Sequence, residues 1–301
     1  MELPRRAVLV ANAKSRRGAH LLEEATAVLR GYGLEIEGAT LFPNPQTLAR
    51  SVAKYMSENR PYVIVGGGDG TVGAVARLFA DRESVLGVLP FGTGNAFARD
   101  LGIPISIAGA CEVLARGQVA KVDLGLIEDR AFVNVATVGL STLIALNLDS
   151  GAKRYLGRLA YLAALVRALA LVRPFRVDLE LDGVLHEFDS MQVVVGNGRF
   201  HAGPFPVLPE ASLTGGWLAV YALASRRKSD LLRMAMHLRG GRHVEMDQVR
   251  SYAAQSGHIS TRPVRRVTVD GEVCLRTPIR FAIRPGALRV AAATSGPALG
   301  P

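Results

Sequence analysis

The chain has 301 residues, 49% of them apolar, and a formal net charge of +10 carried almost wholly by arginine. That length exceeds what one hydrophobic core usually fills, so two domains are expected, and the positive balance suits a phosphate-rich partner such as nucleic acid, an anionic lipid surface or a nucleotide. Cys111 and Cys274 are the only cysteines, which excludes a disulfide framework or a thiolate metal site and argues for a reducing, cytoplasmic setting. The N-terminal apolar run stops at Lys14, too soon for a secretory leader. The longest apolar segment, Leu159 to Val172, is broken by Arg167 and falls short of the ~18 to 20 apolar residues of a membrane-spanning helix.

In chain order, the patterns predict a strand over Ala7–Ala11, a helix over Ala19–Arg30, a strand over Leu34–Thr40 and a helix over Gln46–Glu58. Strands at Tyr62–Val65 and Val85–Leu89 follow, with a helix over Val72–Phe79 between them. Strands alternating with helices imply a mostly parallel sheet covered on both faces, with ligands bound beyond the carboxyl ends of its strands. After Asp123 the pattern changes. Strands are expected at Phe132–Val138, Val177–Leu181, Met191–Val195, Leu218–Leu223, Val264–Val269 and Ile279–Ile283, with one long helix over Ala152–Leu171. This reads as a nucleotide-binding α/β domain over 1–125, a β-rich, mostly antiparallel domain over 126–290, and a disordered tail from Ala291.

The unusual residues fall at the expected carboxyl edge. In "VIVGGGDGTV" the strand gives way through Gly66, Gly67 and Gly68 to a helix starting near Thr71. Glycines let backbone approach a ligand, and a helix start presents unpaired N–H groups, so Gly67, Gly68, Gly70 and Thr71 form a phosphate cradle. Phosphate would repel a carboxylate there unless a divalent cation intervened, which makes Asp69 a magnesium partner. Helix capping by Asp69 or Thr71 explains the same letters. A second strand–turn–helix, "VLGVLPFGTGNAFARDLGIP", sets Thr93, Gly94 and Asn95 at the same edge, with side chains of Thr93 and Asn95 available to a nucleotide. The segment after the first strand adds Asn12, Ser15 and Arg16, and Thr40 closes the second strand.

Gly67-Gly68-Asp69-Gly70-Thr71 followed by Gly92-Thr93-Gly94-Asn95-x-Phe97-Ala98-Arg99 resembles the diacylglycerol kinase catalytic-domain family, which includes bacterial soluble lipid kinases and the sphingosine and ceramide kinases. The similarity continues through Val122-Asp123-Leu124-Gly125, "GRLAYLAALVRAL", "VVVGNGRFHAGPFPVLPEASL" and Asp270-Gly271-Glu272, and so spans nearly the whole chain. It implies a Rossmann-like three-layer α/β/α domain followed by a β-sandwich-like domain of the NAD kinase and diacylglycerol kinase type. It also implies ATP in the crevice between them, with Mg2+ as cofactor and a lipid hydroxyl as acceptor. The resemblance places the general base at Glu272, with Asp270 beside it, and an Asp-Gly hairpin turn accounts for the same letters.

Two departures qualify the resemblance. Ala96 stands where many bacterial members carry Asp, which leaves Asp69 and Asp123 to hold the metal. Gly215 replaces the acid of a second, structural magnesium site, and such a site is not expected here. The resemblance further implies transient, peripheral contact with an anionic membrane, to which Arg154, Arg158, Arg226, Arg227, Lys228, Arg239 and Arg242 could contribute. No nucleic-acid partner is expected, for the charge comes without a recognition motif, and homodimerisation is left open. The competing readings are a catalytically silent nucleotide- or lipid-binding relative and a kinase of a soluble acceptor such as NAD.

Overall fold

The structure, a computed structural model, describes residues 1–13, 18–147, 158–201, 205–238 and 240–294. The first part alternates strand and helix: β1 (Arg6–Asn12), α1 (Gly18–Gly31), β2 (Glu35–Phe42), α2 (Pro45–Ser57), β3 (Tyr62–Gly67), α3 (Asp69–Ala76) and β4 (Val85–Pro90). Two helices, α4 (Ala96–Asp100) and α5 (Ile107–Arg116), follow. Neighbours β2-β1-β3-β4 pair in parallel, as the alternation requires. Every residue of β3 and β4 is buried, the mark of parallel strands covered on both faces. Local signals start and stop these elements: the Asn44 side chain accepts from Thr47 N to cap α2, and Pro45 opens its first turn.

The chain then forms β5 (Gln118–Ile127), β6 (Arg130–Phe132), β7 (Val135–Gly139), α6 (Leu140–Asn147) and α7 (Arg158–Leu171). Next come β8 (Phe175–Leu181), β9 (Val184–Ser190), β10 (Gln192–Gly196), the short β11 (Phe200–His201) and β12 (Phe205–Pro206), and β13 (Leu218–Leu223). The remainder is α8 (Lys228–Leu238), β14 (Val249–Ala254), β15 (Ser256–Arg262), β16 (Arg266–Val269), β17 (Glu272–Arg276) and β18 (Ile279–Ala292). An antiparallel sheet runs β14-β13-β10-β7-β16-β17. Alternation within its buried strands serves two cores: Val193, Val195, Leu218, Val220 and Ala222 face the other sheet, whereas Val194, Ala219, Tyr221 and Leu223 pack toward α7 and α8.

The long strand β18 unites the molecule. Its first half pairs with β15 and β5, and its second half enters the parallel sheet beside β4. The division drawn at residue 125 is therefore crossed by the last strand of the chain. Ala291 and Ala292 are buried in β18, so no disordered tail starts at Ala291, and 295–301 lie outside the described residues. The single strand expected over Phe132–Val138 is two, interrupted where backbone amides of Val133 and Asn134 turn to a side chain of another hairpin. The helix expected from Ala152 is described only from Arg158. Among the described residues no helix is long and apolar enough to cross a membrane.

Candidate active site

The two glycine turns meet backbone to backbone. A Cβ on Gly68 would lie 3.1 Å from Gly92 Cα, and one on Gly92 would lie 2.7 Å from Asn95 Oδ1 and closer still to Gly68 Cα. Gly67 has equally little room, because the Thr71 side chain occupies the space of its missing Cβ. Glycine at these positions is a packing requirement. Asn12, at the end of β1, donates from Nδ2 to Thr71 Oγ1 at 3.1 Å and ties the first strand to the turn after the third. Thr93 and Thr40 are exposed along the same edge, and Ser15 and Arg16 lie outside the described residues.

Asn95 departs from its expected role. It is buried in the left-handed region at φ 50°, where its Oδ1 accepts from Gly92 N at 3.0 Å and its Nδ2 donates to Gly92 O at 2.9 Å. Its amide is spent on shaping the second turn. Asp69 opens α3, and its Oδ1 accepts from Phe97 N at 3.2 Å, at the start of α4. Burial raises its pKa, and the backbone amides of Phe97, Ala96 and Asn95 oppose that rise.

From the opposite side comes the hairpin β16–β17, whose register Val269↔Glu272 leaves Asp270 and Gly271 as a two-residue turn, both at positive φ. The Asp270 carboxylate accepts from Val133 N at 2.9 Å, Asn134 N at 2.9 Å and Val135 N at 3.1 Å. A Cβ on Gly73 would lie 2.6 Å from Asp270 Oδ2, so the hairpin tip packs directly on α3. Burial pushes the Asp270 pKa up to about 7; the three amides lower it and the charge of Asp69 raises it. Glu272 is exposed at the first position of β17, next to this tip.

Asp123 serves a different purpose. Its Oδ1 accepts from Gly286 N at 2.8 Å and its Oδ2 from Gly216 N at 2.7 Å, while its backbone N–H donates to Leu213 O. Opposite it β18 bulges between Arg284 and Leu288, and the carboxylate holds that bulge. The expected pairing of Asp123 with Asp69 gives way to a structural clamp. The charge of Asp69 instead acts on Asp100, a fully buried acid that sequence reasoning passed over. Asp100 was legible as the one acid in the otherwise apolar or basic turn "AFARDL", four residues after Ala96 and thus on the same helical face.

The expected basic face is partly consumed by internal contacts. Arg226 pairs with Asp189 at 3.7 Å and Arg242 with Glu245 at 3.4 Å, and Lys228 Nζ donates to the carbonyls of Leu169 and Ala170 at the end of α7. Arg154 and Arg239 lie outside the described residues.

The arrangement brings two abutting glycine turns, the half-buried Asp69 and the Asp270–Gly271 hairpin tip together around α3. Comparison with known proteins agrees. The diacylglycerol kinase catalytic domain matches residues 6–127, and the YegS C-terminal NAD kinase beta sandwich-like domain matches residues 134–292. A diacylglycerol kinase of Mycobacterium tuberculosis is 31% identical over 265 residues, covering 85% of this chain and 84% of that protein. A "probable lipid kinase YegS-like" protein of Enterobacter sp. strain 638 is 30% identical over 72% of this chain and 74% of its own. The crystal structure of a diacylglycerol kinase from Bacillus anthracis superposes with a TM-score of 0.80 at 24% identity, covering 96% of this chain and 98% of that one. The chain belongs to the diacylglycerol kinase family and is a lipid kinase, a phosphotransferase with an alcohol group as acceptor.

Proposed function

We propose that this lipid kinase transfers the γ-phosphate of ATP to the hydroxyl of a diacylglycerol- or sphingoid-like lipid at the surface of a membrane. The observation that carries the reading is the abutment of the turns Gly67–Thr71 and Gly92–Asn95 beneath the Asp270–Glu272 hairpin, which sets a phosphate cradle opposite a carboxylate. Gly67, Gly68, Gly70, Thr71, Thr93 and Gly94 bind the nucleotide, with Asn12 fixing Thr71 and Asn95 fixing the second turn. Asn12 and Thr40, together with Ser15 and Arg16 of the segment that follows β1, complete the nucleotide side. Glu272 takes the proton of the acceptor hydroxyl as the new P–O bond forms, and Asp270 holds the hairpin through its three amide contacts.

Asp69 fits a hard divalent cation: it is an oxygen donor, desolvated beside the glycine turns, and among the described residues backbone amides offset its charge. Asp69 would hold magnesium there, and the ion would supply neutralisation of the charge on the phosphoryl group. Incubating the protein with labelled ATP, magnesium and a total lipid extract, followed by mass spectrometry of the labelled species, identifies the acceptor. Asp69→Ala should abolish labelling with the fold intact. Labelling of NAD and of no lipid would overturn the reading, and nucleotide binding without turnover on any lipid would favour a silent relative.

A further inference from the structure

One face of the antiparallel sheet is roofed by helices. Leu140 and Leu143 of α6, Ala168 and Val172 of α7, and Leu231 and Met234 of α8 pack down with Val194 and Tyr221 of the strands beneath. The helices also meet one another: α6 packs against α7, and Lys228 Nζ, at the start of α8, donates to the carbonyls of Leu169 and Ala170 near the end of α7. They form one layer, with an outer side turned away from the sheet.

A surface helix normally keeps its outer side polar. Here that side is largely apolar. Among the described residues ten large apolar side chains stand exposed, and five of them lie on this layer: Leu146, Val166, Leu171, Leu232 and Met236. On α7 the exposed positions Ala163, Val166, Ala170 and Leu171 are interrupted only by Arg167. On α8 Leu232 and Met236, 58% and 69% exposed, stand one turn apart. The charges around them have one sign. α6 carries none, α7 carries only arginine, and the one acid of α8, Asp230, is buried and accepts from Ser225 Oγ at 2.6 Å. Arg167, Arg173, Arg227 and Arg233 are exposed and, among the described residues, their side chains make no ion pair.

That chemistry selects the partner. A second copy of the chain would set these arginines against their own equivalents across a two-fold axis, with no acid on the helices' outer side to meet them. Nucleic acid would answer the arginines and leave the apolar side chains against charged backbone. An anionic phospholipid bilayer answers both: the apolar side chains enter the boundary between headgroups and acyl chains while the guanidinium groups stay among the phosphates. We propose that the outer side of α6, α7 and α8 is the surface by which the protein seats on an anionic membrane. This rests on the proposed reaction with a membrane lipid and adds where the membrane lies. α6 packs on β16 and β17, whose hairpin carries Asp270 and Glu272, so the docked layer and that hairpin share one sheet.

The test is cosedimentation of the full-length protein, without nucleotide, with vesicles of phosphatidylglycerol and separately of phosphatidylcholine. The wild type should prefer phosphatidylglycerol and lose that binding at high salt. Arg227→Gln/Arg233→Gln should weaken it about thirtyfold, and Leu232→Gln/Met236→Gln about tenfold or more. Val184→Gln/Leu185→Gln, an equally exposed apolar pair on the edge strand β9, should bind as the wild type does. Absence of wild-type binding, or binding that survives both helix variants, would overturn the proposal. So would a dimer in analytical ultracentrifugation that Leu232→Gln/Met236→Gln dissociates, which would give the face to a second copy. Capture of a DNA oligonucleotide in place of vesicles, lost in Arg227→Gln/Arg233→Gln, would give it to nucleic acid and overturn the proposal equally. Vesicle binding with the expected losses, by a protein that phosphorylates no lipid, would sink the kinase reading and leave the docking surface standing.

Discussion

Replacing Gly92 with alanine tests the contact on which the whole site depends. The added Cβ would stand 2.7 Å from Asn95 Oδ1 and 3.2 Å from Gly68 N, with Gly68 Cα nearer still. Carbon contacts settle near 3.5–4.0 Å, so the two turns must part by roughly 1 Å. Neither neighbour is a flexible side-chain end: Gly68 is backbone, and Asn95 is pinned through Gly92 N and O. Overpacking of this kind costs about 1–3 kcal/mol, and a misplacement of about 1 Å at a phosphoryl-transfer centre costs on the order of 10²-fold in rate. Urea unfolding should show the stability loss, and steady-state phosphorylation with varied ATP should show kcat/KM down about a hundredfold. Gly70→Ala is the stability control: its Cβ would meet only Asp270 O at 3.8 Å, an ordinary contact, and within α3 alanine should gain about 0.5–1 kcal/mol. A Gly92→Ala protein as stable and active as the wild type would refute the close-packed cradle.

Asp270 predicts a pH dependence of stability. Its folded pKa is raised from 3.8 to about 7, so between those values the folded state holds more protons than the unfolded one. Stability should therefore fall as pH rises from 4 to 7, by as much as ~4 kcal/mol from this group before its amide contacts adjust, and Asp270→Asn should flatten that slope in denaturant midpoints. Asn95→Ala should destabilise more than Asn95→Gly, since alanine both loses the staple and resists φ 50° at a cost of about 1–2 kcal/mol, a difference visible in thermal midpoints. Asp123→Ala strands the N–H groups of Gly216 and Gly286 and should cost about 3 kcal/mol in urea unfolding.

Strands β1, β3 and β4 were legible because each carries a nearly continuous apolar run, and α1 and α2 because each carries 3.6-residue periodicity; β2, "EIEGATLF", is an edge strand with polar residues among its apolar ones, and its place follows from the alternation around it. The glycine turns stood out at one sheet edge, where a helix cap explained the first of them equally well, and the structure shows that Gly67, Gly68 and Gly92 are required by close packing. The course of β18 was not legible. The strand expected over Ile279–Ile283 runs on past Pro285 and Gly286, where Asp123 holds a bulge that lets it continue into the first sheet. Strands β14 and β15, "VRSYAA" and "SGHISTR", are half-exposed and carry too little apolar alternation to stand out. Asp123 stood as a metal partner through the family resemblance, because Ala96 left it and Asp69 as the remaining acids, and only the positions of Gly216 and Gly286 show what its oxygens hold. Asn95 misled similarly: a polar residue in a glycine turn offers its amide equally to a ligand or to its own loop, and here the left-handed backbone commits it to the loop.

The measurement that bears most directly on the account is phosphate transfer from ATP to lipid by the wild type and by Glu272→Gln, made alongside nucleotide affinity. Glu272 is exposed and, among the described residues, its side chain makes no hydrogen bond or ion pair, so the variant should fold and bind nucleotide as the wild type does. The account predicts labelled lipid from the wild type and a loss of about 10²–10⁴-fold in Glu272→Gln with unchanged nucleotide affinity. Lipid labelling at the wild-type rate by Glu272→Gln would contradict it.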